Sequence, residues 1–136
     1  MAVDFSGKWF NQHGSMMDLR IDASGRVTGI YRTGVGTPKP SAQFDLVGFV
    51  AEDVIAFSVN FGTHGTLTSW VGQHTEDERG NAEIRTLWHL ARNVPDADEP
   101  AKLWGGVWSG CDTFRRTEPA AAPAARVKAL PSHPIG

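Results

Sequence analysis

Residues 66–70 read Thr66-Leu67-Thr68-Ser69-Trp70, a stretch in which two hydroxyls and an indole occupy every second position. Side chains on an extended strand point alternately to its two faces, so Thr66, Thr68 and Trp70 share one face. A face that carries an indole beside two hydroxyls is typical neither of a dry core nor of a wetted surface. It is typical of a cavity wall that binds a small, largely apolar molecule through a few placed hydrogen bonds.

The same alternation occurs in two later stretches. In residues 84–90, Trp88 lines up with aliphatic side chains at every second position. In residues 104–114, the side chains predicted to share a face are Trp104, Gly106, Trp108, Gly110, Asp112 and Phe114. A buried carboxylate is costly unless its oxygens accept good hydrogen bonds. Asp112 is therefore predicted to accept a hydrogen bond, either from a neighbouring strand or from a ligand N–H.

Alternation along the whole chain predicts the fold. Period-2 patterns recur and are separated by hairpin-length turns, such as Asp22-Ala23-Ser24-Gly25. They give about eight short strands, of which the last runs from about Leu103 to Arg116, with no strong helical period. Consecutive strands with short links pair as an antiparallel meander, and closing that meander removes its edges. We therefore predict an all-β fold over residues 4–116, an eight-stranded antiparallel up-and-down β-barrel whose interior can hold one small ligand.

Composition and charge exclude several classes of protein. The chain has 136 residues and a net charge of −2, so it is long enough for one domain but has no electrostatic footprint for nucleic acid or an anionic membrane. Its one cysteine, Cys111, excludes an internal disulfide. The N-terminal residues have no basic segment followed by an apolar one, so we expect a cytoplasmic protein, or a secreted one whose signal peptide has been removed. Residues 117–136, rich in Pro and Ala, are predicted to be a disordered tail.

Sequence signals for catalysis are poor. The histidines are scattered without metal-ligand spacing, at His13, His64, His74, His89 and His133. The sequence has no nucleophile elbow, no phosphate-binding loop and no dinucleotide-binding fingerprint after a strand. An enzyme that used Asp112 as a base would lack an evident partner acid or nucleophile. We therefore expect no catalysis, no metal and no cofactor.

Polar side chains share or adjoin the inward faces of the predicted strands. They are Asn11, Ser15, Tyr31, Thr33, Thr66, Thr68 and Asp112. Indoles in a small barrel, such as Trp9, are compatible with a packed core. Burying so many polar groups without a ligand to bond them would cost considerable free energy. The pattern therefore favours an internal ligand.

Several segments of the chain carry a family resemblance. They are Gly7-Lys8-Trp9-Phe10-Asn11-Gln12-His13-Gly14-Ser15, Gly29-Ile30-Tyr31-Arg32-Thr33-Gly34-Val35-Gly36, Thr66-Leu67-Thr68-Ser69-Trp70-Val71-Gly72-Gln73, Thr86-Leu87-Trp88-His89-Leu90, Trp104 and Gly110-Cys111-Asp112-Thr113-Phe114. In order and spacing they resemble the avidin and streptavidin family, and the chain is similar to a bacterial avidin-like biotin-binding protein. The resemblance covers about residues 5–116. It implies a barrel that binds biotin tightly without covalent chemistry.

The resemblance also implies roles around the ureido ring of biotin. Asn11, Ser15 and Tyr31 would donate to the ureido oxygen, and three convergent donors polarise a carbonyl. Thr33 and Asp112 would accept from the two ureido N–H groups, and the bond to an ionised Asp112 would be charge-assisted.

Other residues would meet the rest of the ligand. Thr68 would lie against the thioether sulfur, while Thr66 and the backbone N–H near Thr37 would meet the valerate carboxylate. The apolar enclosure would consist of Phe61, Trp70, Trp88 and Leu90, with Val35 on the lid loop. Phe61 stands where streptavidin has a tryptophan, so one wall loses indole area. Arg92 is expected near the mouth of the barrel, where its charge would attract the carboxylate.

Two tryptophans bear on assembly. Trp104 stands where the family sends a tryptophan into a neighbouring subunit's site, which implies a homotetramer, or at least a dimer, in which Trp104 completes the partner's site. Trp108 stands where the family is expected to have an aliphatic residue, and is expected to fill part of the barrel floor or to crowd the subunit interface.

A lipocalin-like carrier of another small hydrophobic ligand is the alternative. Lipocalins normally have a Gly-x-Trp near their start, and Gly7-Lys8-Trp9 satisfies that pattern. The inward polar set nevertheless suits a cyclic urea better than an apolar ligand.

Overall fold

The computed structural model describes residues 3–34 and 42–120. Within these residues, eight strands follow one another in sequence order around a closed barrel, and each neighbouring pair is antiparallel. The strands are β1 (Gly7–Phe10), β2 (Met16–Ile21), β3 (Arg26–Arg32), β4 (Phe44–Ala51), β5 (Val54–Phe61), β6 (Thr66–Glu76), β7 (Ala82–Arg92) and β8 (Val107–Arg115), and short 3-10 turns span Gly62–His64, Asp96–Asp98 and Leu103–Gly106. The predicted fold class is confirmed. None of the helices in the described ranges has the length and apolar character needed to cross a membrane.

The barrel has two distinct ends. Because successive strands alternate in direction, the connections after β1, β3, β5 and β7 lie at one end, here called the mouth, and those after β2, β4 and β6 lie at the other, here called the base. In two of the turns at the base, an aspartate side chain accepts hydrogen bonds from the turn backbone. Asp22 Oδ1 accepts the backbone N–H groups of Ser24 at 2.9 Å and Arg26 at 3.0 Å, and Asp77 makes the equivalent bonds in the turn after β6. These bonds fix the hairpin registers that set which side chains point inward.

Aromatic side chains close the base. The rings of Phe5 and Trp9 both lie edge-on to His74, with centroids 5.9 Å and 6.1 Å away. The Arg116 guanidinium lies 3.8 Å from the centroid of the Trp9 ring and donates to the carbonyl oxygen of Ser6 at 2.8 Å, which ties the end of the barrel to its start. A ligand would therefore have to enter at the mouth.

The last strand begins later than predicted. Leu103–Gly106 forms a 3-10 turn and β8 begins only at Val107. Side chains in a 3-10 turn do not alternate between two faces, because the turn has about three residues per revolution. Trp104 is 91% exposed on this turn, so the prediction that it shares the inward face of Asp112 is wrong.

A buried carboxylate links β7 to β8 at the base. Glu83 Oε1 accepts from Arg85 Nε at 2.7 Å, and Oε2 accepts from Arg115 Nη2 at 2.9 Å. The hydrogen bond from Arg85 lowers the pKa of Glu83 below its ordinary value of 4.5, burial opposes this shift, and Arg115 lowers the pKa further. The native state therefore favours the ionised carboxylate.

We expect Glu83→Gln to lower the free energy of unfolding at neutral pH by about 1–3 kcal/mol, because it weakens two hydrogen bonds between charged groups. A carboxyl group with a depressed folded-state pKa stabilises above its unfolded pKa, and this contribution disappears as the pH falls through the folded pKa. The difference in the free energy of unfolding between the unmodified protein and Glu83→Gln should thus be largest at neutral pH and shrink below pH 4.5. Urea unfolding across this range measures it, with Glu78→Gln on the exposed turn after β6 as the control. Equal stability of both variants at neutral pH would contradict the prediction.

Candidate functional site

The structure buries every polar side chain of the predicted inward set. None is more than 4% exposed: Asn11, Ser15, Tyr31, Thr33, Thr66, Thr68 and Asp112. Alternation along β3, β6 and β8 turns most of them inward, and the turn after β1 supplies the rest. The predicted apolar enclosure is buried with them, at Phe61, Trp70, Trp88 and Leu90. Polar groups and aromatic walls therefore share one interior.

The turn after β1 orients an amide toward Tyr31. β1 ends before Asn11, and the turn closes through Gly14, whose positive φ of 79° suits glycine. Asn11 Oδ1 accepts the backbone N–H groups of His13 at 3.0 Å and Ser15 at 2.9 Å. The amide nitrogen consequently faces the other way, and Asn11 Nδ2 lies 3.5 Å from Tyr31 Oη.

The Tyr31 hydroxyl is held in its protonated, donating form. Burial raises the pKa of Tyr31 well above its usual range, the negative charge of Asp112 raises it further, and a hydrogen bond with Ser15 opposes these effects. The ring is fixed by Trp70, at a centroid distance of 5.2 Å, and by Phe61, which lies edge-on at 5.8 Å. Asn11, Ser15 and Tyr31 thus place polar groups together at one point.

Two donors fix the orientation of the Asp112 carboxylate. Gln12 Nε2 donates to Oδ1 at 2.8 Å, and Trp70 Nε1 donates to Oδ2 at 2.9 Å. Gln12 is itself anchored, because its Oε1 accepts the backbone N–H of Thr113 at 3.0 Å. Asp112 is therefore positioned before any ligand arrives.

The inner face of β6 carries two buried hydroxyls, those of Thr66 and Thr68. Thr66 Oγ1 and Thr68 Oγ1 are both buried, and neither has a hydrogen-bond partner within residues 3–34 and 42–120. Burying a hydroxyl without a hydrogen bond costs about 1–3 kcal/mol on mutational scales. Buried polar groups of this kind call for a partner such as a ligand or an ordered water.

The aromatic walls are packed from behind. Trp70 stacks on Phe57 with a centroid distance of 5.0 Å and an interplanar angle of 11°. Trp88 faces Gly110 on β8, where a Cβ would lie 2.4 Å from Trp88 Cζ2. The glycine thus leaves the space that the indole fills. These contacts fix the positions of both indoles.

Two residues of this site had no predicted role. Gln12 is exposed in the turn after β1, yet its side chain reaches Asp112, a contact that no periodicity signals. Phe57 lies on the same face of β5 as Phe61, and the alternation of that strand could have identified it.

Other residues singled out in the sequence lie outside the interior. Trp108 does not fill the barrel floor, because β8 begins at the mouth and Trp108 is its second residue, 38% exposed. Its Nε1 donates to the carbonyl oxygen of Gly105 at 2.8 Å.

Val35 and Thr37 fall outside the described residues. Among the residues that are described, no group of three or more His, Cys, Asp or Glu side chains could hold a metal ion.

Comparison with known proteins agrees with this geometry. Residues 1–117 match the Avidin family. The chain belongs to the avidin family. Avidin from Gallus gallus is 28% identical over 119 residues, which cover 82% of this chain and 76% of avidin. The crystal structure of xenavidin superposes with a TM-score of 0.74 at 26% identity, covering 86% of this chain and 100% of xenavidin. That of the rhizavidin–biotin complex gives 0.66 at 33% identity, covering 81% and 97%.

Family membership bears on the function classes that the sequence left open. Avidins are non-catalytic binding proteins, so the prediction that the chain is not an enzyme is confirmed. Membership also favours the avidin interpretation over a lipocalin-like carrier, although both are barrels with an internal site.

Proposed function

We propose that this protein binds biotin non-covalently and with high affinity inside its barrel. The observation that carries the proposal is the pair of buried hydroxyls on Thr66 and Thr68, which have no partner in the described part of the chain. They share the interior with the amide of Asn11, the hydroxyl of Tyr31 and the carboxylate of Asp112. A relative of 33% identity, rhizavidin, has been crystallised as a complex with biotin.

Every polar atom of the ureido ring of biotin would find a partner among these polar groups. Asn11 Nδ2, Ser15 Oγ and Tyr31 Oη would donate to the ureido oxygen, and these donors favour the form with charge drawn onto that oxygen. Thr33 and Asp112 would accept from the two ureido N–H groups. Each ligand polar group thereby finds a partner, which is what a buried site requires.

The remaining ligand atoms would be enclosed by apolar and hydroxyl groups. The bicyclic ring would lie between Trp70 and Trp88, with Phe61 and Leu90 beside it, and the sulfur would lie against Thr68. Thr66 would donate to the carboxylate. Val35 and the backbone near Thr37 are proposed to cover the tail from the lid loop. Asn11, Tyr31, Trp70 and Asp112 are already held by protein contacts, so these side chains would lose little conformational entropy on binding.

Titration with biotin, followed by tryptophan fluorescence, tests the function. We expect a saturable change with a stoichiometry of one biotin per chain, because biotin would contact the Trp70 and Trp88 rings. A biotin analogue without the ureido carbonyl is the matched control and should bind far more weakly. A chain that retains no labelled biotin, but takes up an apolar probe, would instead fit a lipocalin-like carrier.

We further propose that the protein assembles as a homotetramer, or at least a dimer. The outer surface of β6, β7 and β8 carries exposed aliphatic side chains, here called the outer apolar face: Leu67, Val71, Leu87 and Val107. They form two groups on this face, since Val71 pairs with Leu87, and Ala91 pairs with both Leu67 and Val107. Large aliphatic side chains exposed close together on one sheet face favour burial against another surface. In the proposed assembly, the exposed Trp104 enters the mouth of a neighbouring subunit.

A further inference from the structure

We propose that Arg92 makes the site selective for ligands whose tail ends in a free carboxylate. This inference rests on the biotin-binding function proposed above and names the form of the ligand that the site favours. The alternative form is a neutral tail, in which the same acid is joined to another molecule through an amide.

The first observation is the position of Arg92 at the rim of the site. Arg92 is the last residue of β7 and pairs directly with Thr66, the first residue of β6. Directly opposed residues of an antiparallel pair project to the same face of the sheet. Thr66 is buried in the interior and Arg92 is exposed, so the arginine side chain starts from the inner face and leads out at the mouth.

The second observation is a platform that holds the guanidinium. Its central carbon lies 5.0 Å from the centroid of the Trp108 ring, a cation–π arrangement. The indole is itself fixed, since Trp108 Nε1 donates to the carbonyl oxygen of Gly105. The adjoining 3-10 turn packs closely on the rim, because a Cβ on Gly106 would lie 2.8 Å from the carbonyl oxygen of Arg92. The Trp108 ring thus favours a position of the guanidinium at the rim of the site.

The third observation is that no acid neutralises this charge in the described part of the chain. The ion pairs there are Arg85–Glu83, Arg115–Glu83 and Lys102–Asp98, and Arg92 belongs to none of them. A guanidinium has several N–H donors in a planar fork that matches a carboxylate. The Thr66 hydroxyl next to it has no partner in residues 3–34 and 42–120, so the rim offers a charged and a neutral donor side by side.

A ligand carboxylate that emerges between Thr66 and Arg92 would be attracted by the positive charge, whereas an amide would not. Because the guanidinium is exposed, water and salt screen this attraction. An exposed ion pair is worth little, so the selectivity should be modest, about two- to fivefold.

Competition between biotin and biotin amide tests the inference. Equal excesses of both compounds are equilibrated with the protein, and the bound ratio is read by mass spectrometry, which needs no absolute affinity. We expect Arg92→Gln to lower the ratio of bound acid to bound amide by about two- to fivefold. In the unmodified protein the ratio should fall as salt is added, and in the variant it should depend much less on salt.

Control variants separate the charge from the fold and from the site. Arg79→Gln, in the exposed turn at the base, removes the same charge far from the mouth and should leave the ratio unchanged. Arg92→Lys keeps the charge but loses the planar fork, and should keep part of the selectivity. An unchanged ratio in Arg92→Gln, with both compounds bound, would overturn the role of Arg92 and leave the proposed function standing. Failure of the unmodified protein to bind either compound would overturn both.

Discussion

Asp112→Ala should lower the affinity for biotin by about 30-fold to several thousand-fold, or about 2–5 kcal/mol, the cost of removing one partner of a buried, hydrogen-bonded charged contact. The side chain is only 2% exposed, so water cannot take its place without cost. The substitution removes the acceptor proposed for a ureido N–H. It also leaves Trp70 Nε1 and Gln12 Nε2 without the acceptor that now holds them at 2.9 Å and 2.8 Å.

Two further variants test whether the loss of biotin affinity arises from the carboxylate at position 112. Asp112→Asn keeps the shape but puts an N–H donor where one oxygen now accepts from Gln12 or from Trp70, so it should also bind weakly. Asp45→Ala, on the exposed face of β4, removes a carboxylate away from the interior and should bind normally. Calorimetric titration gives the affinities, and circular dichroism shows whether each variant is folded. A folded Asp112→Ala protein with unchanged affinity would refute this role.

The interior polar set was predictable because most of it lies on regular strands. Along β3 and β6 a strict period of two carries from one end of the strand to the other, so a single inward residue fixes the others. Thr66 and Thr68 follow from Trp70 in this way, and the structure buries all three. The closed barrel itself followed from short links between such strands.

Alternation does not describe the contacts made where the backbone leaves the strand. Gln12 lies past the end of β1 and is exposed, yet the turn lets its amide reach Asp112 Oδ1. Trp104 lies on a 3-10 turn just before β8, and rotation about the turn carries its indole away from the face of Asp112. Each of these side chains follows a local turn geometry, which a period of two cannot represent.

Contacts between strands that are not adjacent in sequence also escaped prediction. The bond from Trp70 on β6 to Asp112 on β8 crosses β7, which lies between the two strands. It depends on the register that pairs Thr86 with both Gly72 and Asp112. Alternation fixes the face of each strand, but not how far one strand slides along the next. The network around the carboxylate therefore needed the three-dimensional arrangement.

The exposure of Trp104 is the feature of the single chain that most calls for a partner. An indole is among the side chains that contribute most when buried in an interface. Trp104 is 91% exposed, and its neighbour on the same turn, Leu103, is 44% exposed. The outer apolar face lies on the adjoining strands, and in the proposed assembly a neighbouring subunit covers this face and receives the indole at its mouth. Ligand binding and assembly would then depend on the same indole.

Trp104→Ala should accordingly weaken biotin binding by about 2–4 kcal/mol, roughly 30- to 1,000-fold, the range of an aromatic hot spot. By linkage, biotin should stabilise the unmodified assembly against dilution, and the variant should lose that stabilisation. Size exclusion with light scattering, in a dilution series with and without biotin, measures the assembly, and displacement of labelled biotin measures the affinity. Leu103→Ala shortens a neighbouring apolar side chain and is the control, with an expected effect several-fold smaller. Two results together would contradict this role of Trp104. The unmodified protein would stay monomeric with biotin at every concentration, and Trp104→Ala would bind biotin as tightly as the unmodified protein.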